Sequence, residues 1–190
     1  MNALLRSASV LALTAAALAA SAQNLVQNGG FETGDFTNYT LTATGNGQGY
    51  ISNNGVTFPG NYATFINDPV TLSQTFATST GQSYRFEFDV AYTGNFGVTT
   101  GTSGPNSFVA QFDGAPRLTV TNAPYFNPDH YVFTVVGTGS DTINFAVTAG
   151  TGYYRLDNVS VTSVNPTPEP SALAALSLGA VAFLKRRKRA

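Results

Sequence analysis

Apolar and charged side chains alternate strictly from Tyr84 to Val90, and this period of two constrains the fold more than any other feature of the chain. Even positions carry Tyr, Phe, Phe and Val, while Arg85, Glu87 and Asp89 occupy the odd positions. An antiparallel strand with one buried face has this pattern. Runs with strand-like composition also occur at residues 107–112, 118–121, 131–135, 142–147 and 153–161. We therefore expect a chain dominated by short antiparallel strands.

Turn-forming residues separate these runs. Residues 113–116 and residues 137–141 each predict a turn that joins two neighbouring runs. No stretch between Gln23 and Asn165 has a helical period of useful length. The sequence predicts an all-β fold, an antiparallel β-sandwich, and the short strands with frequent turns favour a jelly roll over a barrel.

The N-terminus has the parts of a secretory signal peptide. Arg6 precedes an apolar stretch that ends at Ala20, and the small residues Ala20 and Ala22 form an A-x-A cleavage pattern. We expect a signal helix within residues 1–22, cleavage before Gln23 and an extracytoplasmic mature protein.

The C-terminus combines a helix-breaking triplet, an apolar run and a basic cluster. The triplet is Pro168-Glu169-Pro170, and the apolar run covers residues 171–184. The basic cluster consists of Lys185, Arg186, Arg187, Lys188 and Arg189. As a helix, the fourteen residues of the apolar run are about 21 Å long, which is less than the ~30 Å thickness of a hydrocarbon core. The run therefore spans the membrane only if the basic side chains that follow it extend to the lipid headgroups. Positive charge at this end predicts a short membrane helix with its C-terminus inside.

This tail resembles the PEP-CTERM tail of exported bacterial proteins. In that family an exosortase, which is a membrane peptidase, recognises the Pro-Glu-Pro triplet. The resemblance implies export, transient anchoring in the inner membrane, and delivery to the cell surface or the extracellular matrix. The chain would then divide into a signal peptide at 1–22, a sandwich domain at 23–165 and a sorting tail at 166–190.

The predicted sandwich domain is acidic. Its three arginines stand against nine carboxylates, and three minus nine gives a net charge of minus six. The arginines are Arg85, Arg117 and Arg155. Such a domain repels polyanions, so nucleic acid is not an expected partner. The chain has no cysteine, which excludes disulfides, thiolate metal sites and a cysteine nucleophile.

The two ends of this domain carry a second resemblance. Residues 24–36 (NLVQNGGFETGDF) and 154–161 (YRLDNVSV) are similar to the opening and closing strands of galactose-binding-like jelly rolls, which include several families of carbohydrate-binding modules. Where such modules hold a structural calcium ion, an acidic residue of the opening segment and an aspartate of the closing strand help to bind it. The resemblance places these ligands at Glu32 and Asp157. Alternatively, both side chains accept backbone hydrogen bonds at strand ends.

Aromatic side chains are the candidates for a glycan site. Sugar sites on such sandwiches stack an aromatic ring on a sugar face beside polar side chains. The chain has no tryptophan, and the stacking candidates are Tyr50, Tyr62, Tyr92, Tyr125 and Tyr153. The sequence does not rank them, and each has the alternative role of an ordinary core or rim residue.

Catalysis is not expected from this sequence. His130, beside Asp129, is the only histidine, and no G-x-S-x-G nucleophile motif is present. Ice binding is not expected either. Residues 40, 42 and 44 place three threonines on one strand face, but this spacing occurs once along the chain, whereas an ice-binding array repeats it on stacked strands.

The sequence predicts an exported, non-catalytic protein of the cell surface or extracellular matrix, with a structural or adhesive role in exopolysaccharide or biofilm. A carbohydrate-binding module that recognises a glycan is the alternative. The implied partners are an exosortase, the inner membrane during sorting, and exopolysaccharide.

Overall fold

The computed structural model describes residues 23–55, 57–94 and 104–164, which form an antiparallel β-sandwich of two five-stranded sheets. Within these ranges there is no helix, and therefore none that is long and apolar enough to cross a membrane. The predicted signal helix in residues 1–22 and the sorting tail at 166–190, with its predicted membrane helix, lie outside the described residues.

Each sheet draws its strands from both halves of the chain. Sheet A contains, in spatial order, β1 (Thr40–Ala43), β4 (Val70–Ala77), β9 (Ser140–Thr148), β6 (Ser107–Phe112) and β7 (Ala115–Thr121). Sheet B contains β2 (Gln48–Ser52), β3 (Tyr62–Asn67), β10 (Gly150–Ser163), β5 (Ser83–Thr93) and β8 (Phe126–Val136). All neighbouring strands are antiparallel, and the chain crosses repeatedly from one sheet to the other, as in a jelly roll.

The alternating run at 84–90 lies in β5, and the runs at 107–112 and 118–121 form the paired strands β6 and β7, as predicted. The turn at residues 137–141 has a different role from a hairpin turn. It joins β8 in sheet B to β9 in sheet A, so the chain crosses the sandwich there. Turn residues show where the chain reverses, and long-range pairing decides which sheet receives the next strand.

Strand β3 shows why alternation does not reveal every strand. Its first four residues, Tyr62 to Phe65, are all buried, because the outer face of the sheet is also covered at this point. A strand with two buried faces has no period of two. The cover is the loop between β2 and β3, residues 53–61, whose Phe58 packs with Tyr62 and Ala91 in a small second apolar cluster.

Phenylalanine rings from both sheets form the main core between the sheets. Phe88 of sheet B lies with its ring centroid 5.3 Å from that of Phe145 and 6.1 Å from that of Phe108, both in sheet A. All three side chains are fully buried. Complete burial of a side chain of this kind contributes about 1.5–3 kcal/mol, and this core holds the sheets together without disulfides.

The N-terminal segment runs along β10 beyond the start of β3. Leu25 N donates to Val161 O, and Val159 N donates to Gly29 O, at 2.9 Å each. A Cβ on Gly29 would lie 1.9 Å from Val159 O, so only glycine permits this approach. The segment then enters the core with Phe31, which is fully buried, and this fixes the position of Glu32.

The outer faces of the two sheets differ in chemistry. The outward side chains of sheet A are Thr40, Thr42, Thr71, Ser73, Thr75, Ser107, Val109, Gln111, Thr119, Thr121, Thr142, Asn144, Ala146 and Thr148. None of these is charged, but Arg117, an exposed residue of the edge strand β7, is a cation on this sheet. The outer face of sheet B carries Arg85, Glu87, Asp89, His130, Arg155 and Asp157. Charged groups on the sheets are thus concentrated on one side of the sandwich.

Candidate functional site

The five candidate tyrosines differ in how much of each ring is accessible. Tyr62 and Tyr92 are fully buried, and the hydroxyl of Tyr92 donates to Ala149 O at 2.7 Å. Tyr125 packs against Tyr92 and is partly buried. Tyr50 has 40% of its surface exposed, and Tyr153 is partly exposed on the same face. The outer face of sheet B therefore holds the two accessible rings that lie together.

Arg155 lies at the centre of this aromatic group. In the sheet register, Tyr50 of β2 pairs with Thr64 of β3, and Thr64 pairs with Arg155 of β10. The guanidinium carbon lies 5.7 Å from the ring centroid of Tyr62 and 5.7 Å from that of Tyr153, within the range of cation–π attraction. We call Tyr50, Tyr62, Tyr153, Arg155 and Thr57 the Tyr50 patch.

Electrostatic and hydrogen-bonding interactions connect the members of this patch. Burial raises the pKa of the Tyr50 hydroxyl, and the hydroxyl of Tyr153 raises it further, while the Arg155 cation acts in the opposite direction. Nη1 of Arg155 donates to Thr57 Oγ1 in the loop at 53–61. Nε of Arg155 is buried and has no hydrogen-bond partner among the described residues. The patch thus combines an accessible ring with an incompletely satisfied cation.

A cavity adjoins the patch at the end of strand β2. Gln48 lies two residues before Tyr50 on the same face and also lines this cavity of about 670 Å³. The remaining lining residues are Asn46, Asn67, Asp68, Pro105, Thr148 and Gly150. Asp68 Oδ2 accepts from the backbone N–H of Asn46 at 2.7 Å. Amide and carboxylate groups next to a ring are the combination that binds sugar hydroxyls.

The predicted calcium ligands meet on either side of Gly30. A Cβ on that glycine would lie 3.7 Å from Cγ of Glu32 and 3.9 Å from Oδ1 of Asp157. Glu32 Oε1 also accepts from Asn61 N at 3.2 Å, and Asp157 Oδ1 accepts from Asn158 N at 2.7 Å. Each predicted ligand therefore also makes the backbone hydrogen bond of the alternative interpretation.

Asp157 is an unusual carboxyl group. It is 3% exposed, and burial raises its pKa to about 7; the Asn158 N–H lowers the pKa, whereas the charges of Asp89 and Glu32 raise it further. A bound cation would offset both the burial and the repulsion. The donor set suits calcium, which prefers carboxylate and carbonyl oxygens. Within the described ranges, no three His, Cys, Asp or Glu residues together form a metal-binding group.

His130 belongs to a hydrogen-bonded network on the same face. Its Nδ1 lies 2.5 Å from Asp89 Oδ1 and its Nε2 lies 3.5 Å from Glu87 Oε2. The hydroxyl of Ser160 donates to Glu87 Oε1 at 3.0 Å and does not bond to His130. In the described part of the chain the polar partners of this histidine are carboxylates, and its hydrogen bond is to Asp89 of β5, not to the adjacent Asp129.

Sequence reasoning missed the role of Arg155 and the cavity beside Gln48. In the sequence, Arg155 is one of the three arginines of the predicted domain. Its neighbours in the structure are residues 50, 57, 62 and 153, and three of these are distant from it in sequence. The one available signal was the alternation in residues 153–157, which places Tyr153, Arg155 and Asp157 on one face of a strand.

Comparison with known proteins identifies the C-terminal tail. The model of the PEP-CTERM protein-sorting motif matches residues 166–189. The tail is a PEP-CTERM sorting motif. This confirms the resemblance seen in the Pro-Glu-Pro triplet, the apolar run and the basic cluster, and it indicates export and sorting to the cell surface. No curated protein matches the chain.

Solved structures similar to this chain share the fold of its sandwich. TmCBM61, solved in complex with β-1,4-galactotriose, is 18% identical over 74% of this chain and 98% of its own, with a TM-score of 0.55. The CBM22-1 xylan-binding domain of Paenibacillus barcinonensis Xyn10C is 12% identical over 77% of this chain and 98% of its own, with a TM-score of 0.50. These likenesses confirm the fold of the chain, an all-β antiparallel sandwich of two sheets.

A third similar structure belongs to a larger protein. The enzymatically active domain of tailspike protein 4 of bacteriophage CBA120 is 19% identical, with a TM-score of 0.52. The match covers 74% of this chain but only 21% of the tailspike chain. The similar structures thus include both carbohydrate-binding modules and part of an enzyme.

Proposed function

We propose that this PEP-CTERM protein is a non-catalytic carbohydrate-binding protein that is exported and retained at the cell surface or in the exopolysaccharide matrix. The observation that carries this proposal is the Tyr50 patch. Tyr50 offers a half-exposed ring for stacking, Ser52 and Gln48 carry polar groups on the same face, and Arg155 is buried beside them under the loop at 53–61. A ring flanked by convergent polar groups is the usual composition of a sugar site.

The cavity beside Gln48 extends the site along the sheet. If one sugar unit of a glycan stacks on the Tyr50 ring, the next units would lie over the amide groups of Asn46, Gln48 and Asn67. The similar folds of TmCBM61 and the xylan-binding CBM22-1 domain are consistent with a glycan ligand, but their low identity leaves the ligand open. The proposal therefore depends on the patch.

The test compares two variants at one position. Full-length protein is titrated with exopolysaccharide from its own host and with β-1,4-galactotriose, by co-sedimentation and calorimetry. Tyr50→Ala should weaken binding about tenfold, because the stacking of the ring on the sugar is lost and about 1.4 kcal/mol corresponds to tenfold. Tyr50→Phe keeps the ring and should bind within about threefold of the wild type. Equal, saturable binding by wild type and Tyr50→Ala would refute the site.

We propose that an exosortase acts on the tail at Pro168-Glu169-Pro170. The support is the motif itself, together with the apolar run and basic cluster that follow it. Replacing the triplet with three alanines should leave the tail attached and the protein in the inner membrane. Fractionation and immunoblotting measure this, with Thr167→Ala as the matched control. Unchanged surface delivery of the triple-alanine protein would count against exosortase processing.

We also propose a structural calcium ion held by Glu32 and Asp157. The support is that the side chains of Glu32 and Asp157 both lie beside Gly30, and that Asp157 is buried with its pKa raised by burial and by the charges of Asp89 and Glu32. Calcium bound there would neutralise both charges and fix the opening segment against β10. Millimolar calcium should raise the Tm of chelator-treated protein by several degrees, and Glu32→Gln should remove the shift. An unchanged Tm after chelation would refute the calcium proposal.

A structural or adhesive matrix role is the second candidate, and strand β8 favours it. This strand lies at the edge of sheet B, and its residues 131–136 carry neither charge nor proline. Val132 and Val136 are 46% and 55% exposed. An unguarded edge strand is a template for pairing with another chain. Val132→Lys should abolish any self-association seen by ultracentrifugation, and a concentration-independent monomer in the wild type would exclude this role.

A further inference from the structure

Arg155 is a buried cation without an acidic partner. It is 4% exposed, and the salt bridges among the described residues join Arg85 and His130 to acidic groups instead. All nine carboxylates of the predicted domain lie within the described ranges, and none of them forms a salt bridge with Arg155. An unpaired buried charge is costly, and stacking on Tyr62 and Tyr153 offsets only part of that cost.

The hydrogen bonds of Arg155 leave one edge of the guanidinium without an acceptor among the described residues. The group has five N–H donors, and Nη1 donates to Thr57 Oγ1. Nε is buried and has no partner among the described residues. The edge formed by Nε and Nη2 presents two parallel N–H bonds, which match the two oxygens of a carboxylate. The unused donors therefore have the geometry for an anionic group.

The position of this edge relates it to the proposed glycan site. Arg155 is separated from Tyr50 by a single strand position, Thr64, and its charge acts on the Tyr50 hydroxyl. We propose that the ligand of the Tyr50 patch is an acidic glycan, whose uronic-acid carboxylate pairs with the Nε and Nη2 edge of Arg155. This inference rests on the proposed glycan-binding function and narrows it to one chemical class.

Entry of the carboxylate requires the loop at 53–61 to move. Thr57 bonds to Arg155, and Phe58 packs on Tyr62 with ring centroids 5.6 Å apart, so this part of the loop covers the cation. The described hydrogen bond between the loop and the cation is that of Thr57 with Nη1, whereas a carboxylate paired with Nε and Nη2 would gain two charge-assisted hydrogen bonds. The loop would open around Gly55 and Gly60, which both have positive φ.

The acidic character of the domain does not oppose this contact at short range. Repulsion between the domain and a distant anion is screened over about 8 Å at physiological salt. A carboxylate paired with Arg155 is in direct contact and is shielded by the surrounding rings. We expect short acidic oligosaccharides to associate slowly, because the acidic domain repels them. Their specificity should come from the contact between the carboxylate and Arg155.

The test uses two ligands that differ only in charge. Full-length protein is titrated with trigalacturonate and with its fully methyl-esterified form at a fixed ionic strength. The wild type should bind the acid at least tenfold more tightly than the ester. Arg155→Gln should bring the two affinities within about twofold, whereas Arg117→Gln, at an exposed position in β7, should preserve the preference.

The wild-type ratio decides the question even if the Arg155 variant does not fold. Equal binding of both forms, or tighter binding of the ester, overturns the acidic-ligand proposal and leaves glycan binding intact. Binding of neither form also overturns it. In that case the binding of host exopolysaccharide decides whether the proposed function also fails. If the wild type binds it and Tyr50→Ala does not, the glycan site is supported. If the wild type does not bind it either, the proposed function is refuted as well.

Discussion

The outer faces of the two sheets face solvent on opposite sides of one sandwich, and they differ in almost every chemical respect. On sheet A most outward side chains are uncharged and threonine is the commonest among them, although Arg117 is exposed on the edge strand β7. On sheet B the outward side chains include three acids, two arginines and the only histidine, and part of the face is covered by a loop. The main core lies between the inner faces of the sheets, so the charged and loop-covered outer face of sheet B is where we look for function.

Truncating a side chain to alanine should reduce the unfolding free energy much more where the loop at 53–61 covers the sheet than where the outer face is uncovered. Tyr62 on sheet B is fully buried against Phe58 and Arg155, so Tyr62→Ala should cost about 3–5 kcal/mol of unfolding free energy. The matched change on sheet A is Thr71→Ala, at a half-buried position, which should cost less than about 1 kcal/mol. Urea unfolding of both variants measures the difference. Similar losses would mean that the loop contributes nothing to the sheet B face.

Acidic groups on the sheet B face should make stability depend on pH. The folded pKa of Asp157, about 7, lies above the usual 3.8 of this group. The folded state therefore holds a proton that the unfolded state releases, and the resulting stability is present below pH 4 and lost as pH rises to about 7. For calcium-free protein the loss should be roughly 2–4 kcal/mol.

Urea unfolding between pH 4 and 8, in chelator, measures this loss. Asp157→Asn should flatten the dependence in that range, and excess calcium should reduce it in the wild type. A calcium-free wild type whose stability is constant, or rises, from pH 4 to 7 would contradict the assignment of this pKa to the folded state.

The exposed part of the sheet B face should contribute little to stability. Arg85 and His130 are about half exposed, with side-chain exposures of 52% and 51%, and exposed ion pairs contribute about 0–1 kcal/mol. His130→Gln should therefore destabilise by less than about 1 kcal/mol, as thermal unfolding at pH 7 can show. A loss above 2 kcal/mol would place this network among the structural elements of the fold.

The smallest effect is expected on the sheet A face. Thr119 lies at an exposed position of β7, so Thr119→Lys should change the unfolding free energy by less than about 0.5 kcal/mol and leave glycan binding unaltered. We also expect no thermal hysteresis from this face. Neighbouring strands are rotated by about 20–25° relative to one another, so five strands do not form the flat array that ice requires. Measurable hysteresis would show that sheet A is the functional face.

The two faces also show what could be predicted from the sequence. The strict alternation at 84–90 predicted β5, and the turn at 113–116 predicted the hairpin of β6 and β7. Both signals are local. The threonines of sheet A come from several strands, so a search for their spacing along the chain found it once, at residues 40, 42 and 44.

Long-range pairing explains the features that the sequence did not reveal. Strand β3 has no alternation because the loop at 53–61 buries its outer face, and the turn at 137–141 gives no sign that it crosses between sheets. Arg155 acquires its neighbours through the register of three strands. By contrast, Glu32 and Asp157 were placed by resemblance to known jelly rolls, and the structure brings them together at Gly30.

The central claim is that glycan binds to the outer face of sheet B. Its most direct test is to titrate isotopically labelled full-length protein with oligosaccharides released from the host exopolysaccharide and to follow the backbone amide signals by NMR. The account predicts saturable shifts at Tyr50, Tyr153 and Gln48, with no change across the threonines of sheet A. Shifts confined to sheet A, or no shifts at saturating oligosaccharide, would contradict it.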